Sequence, residues 1–223
     1  MTDSTDMTDS TAAEANTVAL LRGGPAGIAR LHGRLARAAE REDLIDVAFR
    51  TVESPIGGLL LAATPRGLVY VAFEVEDQGA VLEMLARRIG PRVLLAPTDP
   101  DGDGPPGPAS RVLVTAAAQI DQYLAGGRRD FALPLDPALA TGFRGEVQRR
   151  LAGVAYGRTA TYKEIAAALD RPGAVRAVGS ACATNPLPLV WPCHRILRTD
   201  GALGGYRGGL EAKQRLLAME SAE

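Results

Sequence analysis

Apolar residues along this chain gather into short runs broken by turn-forming residues, and the spacing changes character near residue 140. Gly27 to Asp43 predicts an amphipathic helix: Ile28, Leu31 and Leu35 recur at helical spacing, while Arg30, Arg34, Arg37 and Arg41 lie three or four apart on another face. The runs Asp46 to Glu53, Gly58 to Thr64 and Leu68 to Glu74 predict three strands. Pro65-Arg66-Gly67 supplies the turn between the second and third, so a meander is expected. Ala80 to Ile89 predicts a helix and Arg92 to Leu95 a short strand. Pro97 to Ser110, with five prolines and three glycines, predicts a surface loop. Beyond it Val112 to Leu124 predicts a helix and Phe131 to Leu135 an apolar strand. Residues 44–136 therefore read as a small α+β domain without a nucleophile or metal cluster of its own.

Residues 137–223 read as short helices joined by tight turns. Phe143 to Leu151 predicts one helix; Thr161 is placed to cap Tyr162 to Leu169, and Glu164 three residues on completes a capping box. Asp170-Arg171-Pro172-Gly173 breaks the chain and Ala174 to Ala183 resumes it, which is helix-turn-helix spacing. The second helix is built almost entirely of small residues around one long cation, Arg176. So thin a helix can approach another surface closely, and tight packing in the core is the plainer reading.

Composition narrows the class. The 223 residues are 46% hydrophobic, 23% charged and 4% aromatic, as in ordinary globular domains. No apolar run approaches the roughly 18 residues that cross a bilayer, and Met1 to Asn16 has neither the basic start nor the apolar stretch of a signal peptide. Those first 16 residues carry a near-duplicated MTDST and almost no large apolar side chain, so disorder is expected there. Cys182, Cys193, His32 and His194 are the only Cys and His residues, with no zinc spacing among them. A reduced, cytoplasmic protein without a structural metal is expected. The net charge of -1 conceals an asymmetry: residues 1–140 carry 13 Lys+Arg against 19 Asp+Glu, residues 141–223 carry 12 against 7. Only the C-terminal part is suited to a polyanion, and a surplus this small is also common on a solvated surface.

The chemistry concentrates in Asn185-Pro186-Leu187-Pro188-Leu189-Val190-Trp191-Pro192-Cys193-His194-Arg195. Its prolines favour an extended backbone that delivers one thiol beside one imidazole. On spacing alone Cys193 reads first as a buried structural thiol, because free Cys is among the most buried residue types. In an extended strand neighbouring side chains face opposite ways, so His194 is expected to reach Cys193 through a bridging water.

Pro192-Cys193-His194-Arg195 is preceded by Asn185-Pro186-Leu187-Pro188. It is followed by Gly204-Gly205-Tyr206-Arg207-Gly208-Gly209-Leu210 and a Lys213-containing helix ending near Glu220. This pattern resembles the O6-alkylguanine-DNA alkyltransferases, also called methylated-DNA-protein-cysteine methyltransferases. The likeness extends through Tyr156-Gly157-Arg158-Thr159-Ala160-Thr161-Tyr162 and Arg176-Ala177-Val178-Gly179, and covers about residues 46 to 220. It implies an α+β architecture: residues 1–43 as tail and helix, a ribonuclease-H-like domain over 44–136, and a winged-helix-like DNA-binding domain over 137–223.

The resemblance further implies DNA repair by direct reversal, in which an alkyl group moves irreversibly from O6 of guanine, with O4 of thymine a further candidate, to Cys193. No cofactor is implied, and the partner is double-stranded DNA carrying the lesion, met by a monomer. Glu220, His194, a water and Cys193 match the family's proton relay. Tyr162 matches the residue that assists the leaving guanine, and Asn185 the hinge between recognition helix and active-site strand. Arg176 matches an arginine finger that fills the space left by an extruded nucleotide, with Thr161, Tyr162, Ala174 and Ala177 beside it on the DNA face. Tyr206, Arg207 and Trp191 fall at the alkyl pocket. Trp191 is bulkier than the aliphatic residue common there, and Ala183 stands where some relatives carry a cation. The alternative on the same scaffold is a lesion-binding module without a nucleophile, against which Cys193 argues; a cysteine hydrolase would need an oxyanion hole, of which the sequence shows no sign.

Overall fold

The computed structural model describes residues 24–97 and 106–221 of the chain. The disorder expected of residues 1–16, and residues 98–105 of the expected loop, lie outside that range. The first helix, α1 (Gly24–Arg41), is followed by strands β1 (Val47–Val52), β2 (Leu59–Thr64) and β3 (Gly67–Phe73). Helix α2 (Gln78–Arg88), strand β4 (Val93–Leu95) and helix α3 (Pro108–Leu124) complete the N-terminal part. The sheet order is β3-β2-β1-β4, with β1, β2 and β3 antiparallel in sequence and β4 parallel to β1. Central strand β2 is buried along its whole length, which its run Leu59-Leu60-Leu61-Ala62-Ala63 requires. Leu60, Ala62, Val69 and Leu85 pack together beneath α2, while Leu59, Leu61, Leu113 and Ile120 belong to a second cluster on the α3 side. Each fully buried leucine contributes about 1.5–3 kcal/mol of transfer free energy.

Three expectations for this half are corrected. Phe131 to Leu135 is extended but forms no strand; it touches the sheet through a single bridge, Leu135 to Leu68. Pro108 to Ser110 opens α3 rather than ending a loop, as a proline in the first turn permits. In α1, Ile28 and Leu35 are exposed, whereas Ala36, Arg37 and Glu40 are buried. The reason is the surface that α1 covers. The N-cap of α3 is Gly107, which has no side chain to serve as one, and the Glu40 carboxylate takes that part: its two oxygens accept the backbone N–H groups of Gly107 and Ser110, both at 2.9 Å. An anion that also satisfies two orphan amides at a helix N-terminus stabilises by about 1 kcal/mol, up to ~2 where partly buried.

The C-terminal part comprises α4 (Gly142–Leu151), β5 (Ala160–Thr161), α5 (Tyr162–Ala167), α6 (Val175–Ala183), β6 (Ile196–Leu197) and α7 (Gly209–Ser221), with β5 parallel to β6. The expected capping box is present: Thr161 Oγ1 accepts the Glu164 amide at 3.1 Å, and Glu164 Oε2 accepts the Thr161 amide at 2.6 Å. A 3-10 turn, Pro172–Ala174, links α5 to α6. Ile165, Ala166, Val178 and Ala181 face inward, leaving Arg176, Ala177, Ser180 and Ala183 exposed. The two parts are stitched together where β3 donates the Val71 amide to Pro186 O at 2.8 Å. Among the described residues no helix is long and apolar enough to cross a membrane.

Candidate active site

The segment between α6 and β6 folds back on itself through Asn185. This side chain is fully buried, donates Nδ2 to Trp191 O at 2.7 Å and accepts the Leu187 amide at 3.1 Å. The reversal is tight enough to put Leu189 at φ 73, a left-handed conformation that costs a branched residue on the order of 1 kcal/mol. Cys193–Arg195 then forms a 3-10 turn rather than the expected extended strand, because Pro192 (φ -76) suits a helical start as well as an extended one. Asn185 thus joins α6 to a turn.

Cys193 is 4% exposed. Burial pushes its thiol pKa up, opposed by a hydrogen bond from the Asn185 side chain and by the charges of Lys213 and Arg207. His194 is fully buried, and burial pushes its imidazole pKa down, so the ring is neutral at neutral pH. Its Nε2 lies 2.8 Å from Glu220 Oε1. Burial alone would push the Glu220 carboxyl up, but hydrogen bonds from His194 and Arg195 outweigh it and hold the pKa down at about 2. Arg195 grips both oxygens, with Nε 2.9 Å from Oε2 and Nη2 3.0 Å from Oε1, and the Gly157 amide adds 3.3 Å to Oε2. An ionised carboxylate only accepts, so Nε2 must carry the ring proton and Nδ1 the lone pair. That Nδ1 is buried and has no hydrogen-bond partner among the described residues.

Beside this cluster lies an open cavity of about 440 Å³ whose lining includes Tyr162, Gly179, Cys182, Gly204, Tyr206 and Arg207. Gly204 (φ 64) is required: a Cβ there would lie 2.9 Å from the Tyr162 hydroxyl. Cys193 is not among the lining residues, yet it lies close enough to bear on two that are: burial first raises the pKa of Tyr162 and Tyr206, and negative charge on Cys193 would raise both further, behind Cys182 in the case of Tyr162. A reactant must therefore enter deeply to reach the sulfur. Cys182 lines the cavity instead of lying wholly in the core, and burial pushes its thiol up to about 12. Trp191, expected at the pocket wall, is buried in the core and does not line the cavity. Arg207 spans both halves: it is hydrogen-bonded to Glu76 and Tyr70 and donates Nη1 to Asn185 O at 2.5 Å.

Two contributors were not expected from the sequence. Lys213, fully buried, donates Nζ to Ile196 O at 2.7 Å and to Leu203 O, holding the loop that carries Tyr206. Tyr123, at the far end of α3, donates its hydroxyl to Glu220 Oε1 and lies 3.2 Å from His194 Nε2. A lysine in a helix of mixed charge and a tyrosine on an apolar helix face carry no local signal of such contacts. Thr161, Tyr162, Ala174, Arg176 and Ala177 sit together along α5, the turn and α6; Arg176 is exposed and without a hydrogen-bond or ion-pair partner among the described residues.

Residues 47–137 match the family described as 6-O-methylguanine DNA methyltransferase, ribonuclease-like domain, and residues 142–222 match 6-O-methylguanine DNA methyltransferase, DNA binding domain. A methylated-DNA–protein-cysteine methyltransferase of Methanosarcina barkeri is 36% identical over 77% of this chain and 96% of its own length. The inducible enzyme of that name from Bacillus subtilis is 36% identical over 72% and 82% respectively. The crystal structure of Mycobacterium tuberculosis O6-methylguanine methyltransferase superposes with a TM-score of 0.61 at 31% identity, covering 79% of this chain and 93% of that one. Mycobacterium tuberculosis OGT in complex with DNA gives 0.62 at 31% identity, covering 78% and 93%. With both halves matched and relatives aligned over most of their length, the chain belongs to the O6-methylguanine-DNA methyltransferase family.

Proposed function

We propose that this protein repairs DNA by direct reversal, moving a methyl or other alkyl group from O6 of guanine in double-stranded DNA to its own Cys193, once per molecule. The observation that carries this reading is the buried, unpartnered Nδ1 of His194, the residue next to Cys193, with Nε2 tied to anionic Glu220. A thiol raised by burial is a poor nucleophile unless a base takes its proton. Through one water, Nδ1 accepts that proton, and the imidazolium so formed is stabilised by Glu220. Sγ then forms a bond to the alkyl carbon as the C–O6 bond breaks, its electron pair staying on the guanine. Tyr162 hydrogen-bonds the departing base, which ends as ordinary guanine after taking up one proton.

The reacting atom lies inside the duplex, so the nucleotide has to be rotated out, at a cost of a few kcal/mol. Arg176 fills the vacated stack, and Thr161, Ala174 and Ala177 let the backbone approach closely. Tyr206 and Arg207 close the pocket, and Asn185 holds the turn that presents the thiol. We read residues 44–136 as the supporting domain and 137–223 as the DNA-binding and acceptor domain of a monomer. Cys193 disfavours a purely lesion-binding role.

With excess duplex containing one O6-methylguanine, product is expected to rise in a burst to one methyl per protein and stop, with the added mass on Cys193; a thioether has no good leaving group, and the other thiol, Cys182, is kept protonated by burial, its pKa pushed up to about 12. Turnover past one equivalent would overturn the reading. Arg176→Ala is expected to slow repair of duplex DNA about tenfold or more relative to reaction with the free modified base, since an intercalating side chain acts only on extrusion. Equal slowing on both substrates would make the residue structural.

A further inference from the structure

We propose that Tyr123, supplied by the N-terminal domain, is a positioning residue for alkyl transfer: its hydroxyl holds Glu220 and, through it, the His194 ring in the orientation that leaves Nδ1 free to take the Cys193 proton. The inference rests on the transfer reaction proposed above. Tyr123 is fully buried, and its ring is fixed by Phe131 (centroids 5.1 Å apart) and Tyr156 (6.1 Å, edge-on). Its hydroxyl donates to Glu220 Oε1, the same oxygen that accepts His194 Nε2–H, and stands 3.2 Å from Nε2 itself. Tyr123 from α3 and His194 and Arg195 from the Cys193 turn thus all meet at one carboxylate oxygen carried by α7.

A carboxylate is free to turn about its terminal torsion. Arg195 bonds both oxygens and the Gly157 amide bonds Oε2. Tyr123 adds a donor fixed on α3 at Oε1, the oxygen that faces His194, and so helps hold the carboxylate plane toward the ring. The same bond shares out the negative charge of Oε1 and so moderates the pull of Glu220 on an imidazolium. The titratable and charged groups facing His194 are Glu220 and Lys213 from α7, Tyr123 from α3, Tyr206 from the loop before α7, and Arg195 and Cys193 from its own turn. Of these, Tyr123 and Glu220 touch Nε2 directly.

The test is Tyr123→Phe, which keeps the ring and removes the hydroxyl. Transfer to Cys193 is expected to fall about fivefold with duplex and free modified base alike, because the residue acts on the proton relay and not on DNA. The acid limb of the rate–pH profile is expected to move up by roughly half a pH unit or more, since a carboxylate with one donor fewer favours the protonated ring. Phe131→Leu, which loosens the same packing without touching a polar atom, is expected to leave that limb in place. An unmoved limb in Tyr123→Phe, or an equal shift in Phe131→Leu, would overturn the proposal. Should Tyr123→Phe not fold, a 3-fluorotyrosine placed at position 123 gives a second reading: its more acidic hydroxyl donates more strongly to Glu220 Oε1, so an acid limb moved down supports the proposal, and an unmoved limb overturns it. Failure of the transfer reading itself would appear separately, as no methyl on Cys193 in the unaltered protein.

Discussion

Cys193→Ser is expected to abolish methyl transfer to the protein while leaving its affinity for duplex DNA essentially unchanged. The hydroxyl that replaces the thiol is far less acidic, and the neutral His194 beside it is too weak a base to generate an alkoxide in a site that already penalises charge. The side chains proposed to face DNA are spared: Arg176 and Ala177 stand exposed on α6, whereas residue 193 is 4% exposed within the fold. The cost is confined to stability, because a buried hydroxyl without a good partner loses about 1–3 kcal/mol. Intact-protein mass after exposure to methylated duplex, paired with a binding isotherm at fixed salt, checks both halves. Residual methylation of the Ser variant would move the acceptor elsewhere; lost binding would tie the sulfur to the DNA surface.

Glu220→Gln is expected to lower the second-order rate constant for transfer by about two orders of magnitude and to destabilise the fold by ~3–5 kcal/mol. The amide still accepts one hydrogen bond, but it no longer balances the buried Arg195 guanidinium or the imidazolium that forms during the reaction. Acid exposes the same dependence without mutation. Glu220 is held at about 2 against an ordinary value of 4.5, so its contribution is present in full above about pH 4.5 and is lost as the pH falls through about 2. That contribution is about 3 kcal/mol. Melting temperatures of both proteins between neutral pH and pH 3 test the sign: the unaltered protein should lose stability on acidification, and Glu220→Gln should start lower and fall less. Parallel curves would show that the carboxylate is not the group responsible.

What the sequence disclosed and what it hid divide along a physical line. The capping box at Thr161 and Glu164 and the three meander strands rest on residues within a few positions of one another, and they stand as expected. The inward face of α1 was misread because its partner is not a hydrophobic surface but the N-terminus of α3, to which Glu40 bonds across 67 and 70 positions. The Cys193 turn was misread because proline fixes φ without choosing between an extended and a helical continuation. Phe131 to Leu135 has strand composition, but it meets the sheet only at Leu68. Tyr123 was invisible for the same reason as Glu40: its hydroxyl finds Glu220 97 positions away, and nothing near it in the chain marks it as other than core. In the site itself, the side chains of His194 and Glu220 meet and Cys193 precedes His194 in the same turn, whereas Trp191 falls outside the cavity.

The two matched segments look like separable modules, yet Leu59, Phe73 and Leu113 share a single apolar core with Leu187, Cys193 and Leu216. Across that seam the fit is close. A Cβ at Gly208 would lie 2.7 Å from the Phe73 ring, Arg207 reaches Glu76, and Tyr123 reaches Glu220. The consequence is for inheritance: neither half is a portable cassette. A recombination that exchanged one half with that of a relative would join surfaces cut to different partners, and the acceptor site, which sits on the seam, would be the first place to register the mismatch. Such a chain changes by paired substitution across the seam, with Gly208 held by Phe73 and Arg207 by Glu76, so that the scaffold half is under the same constraint as the half that carries the reactive sulfur.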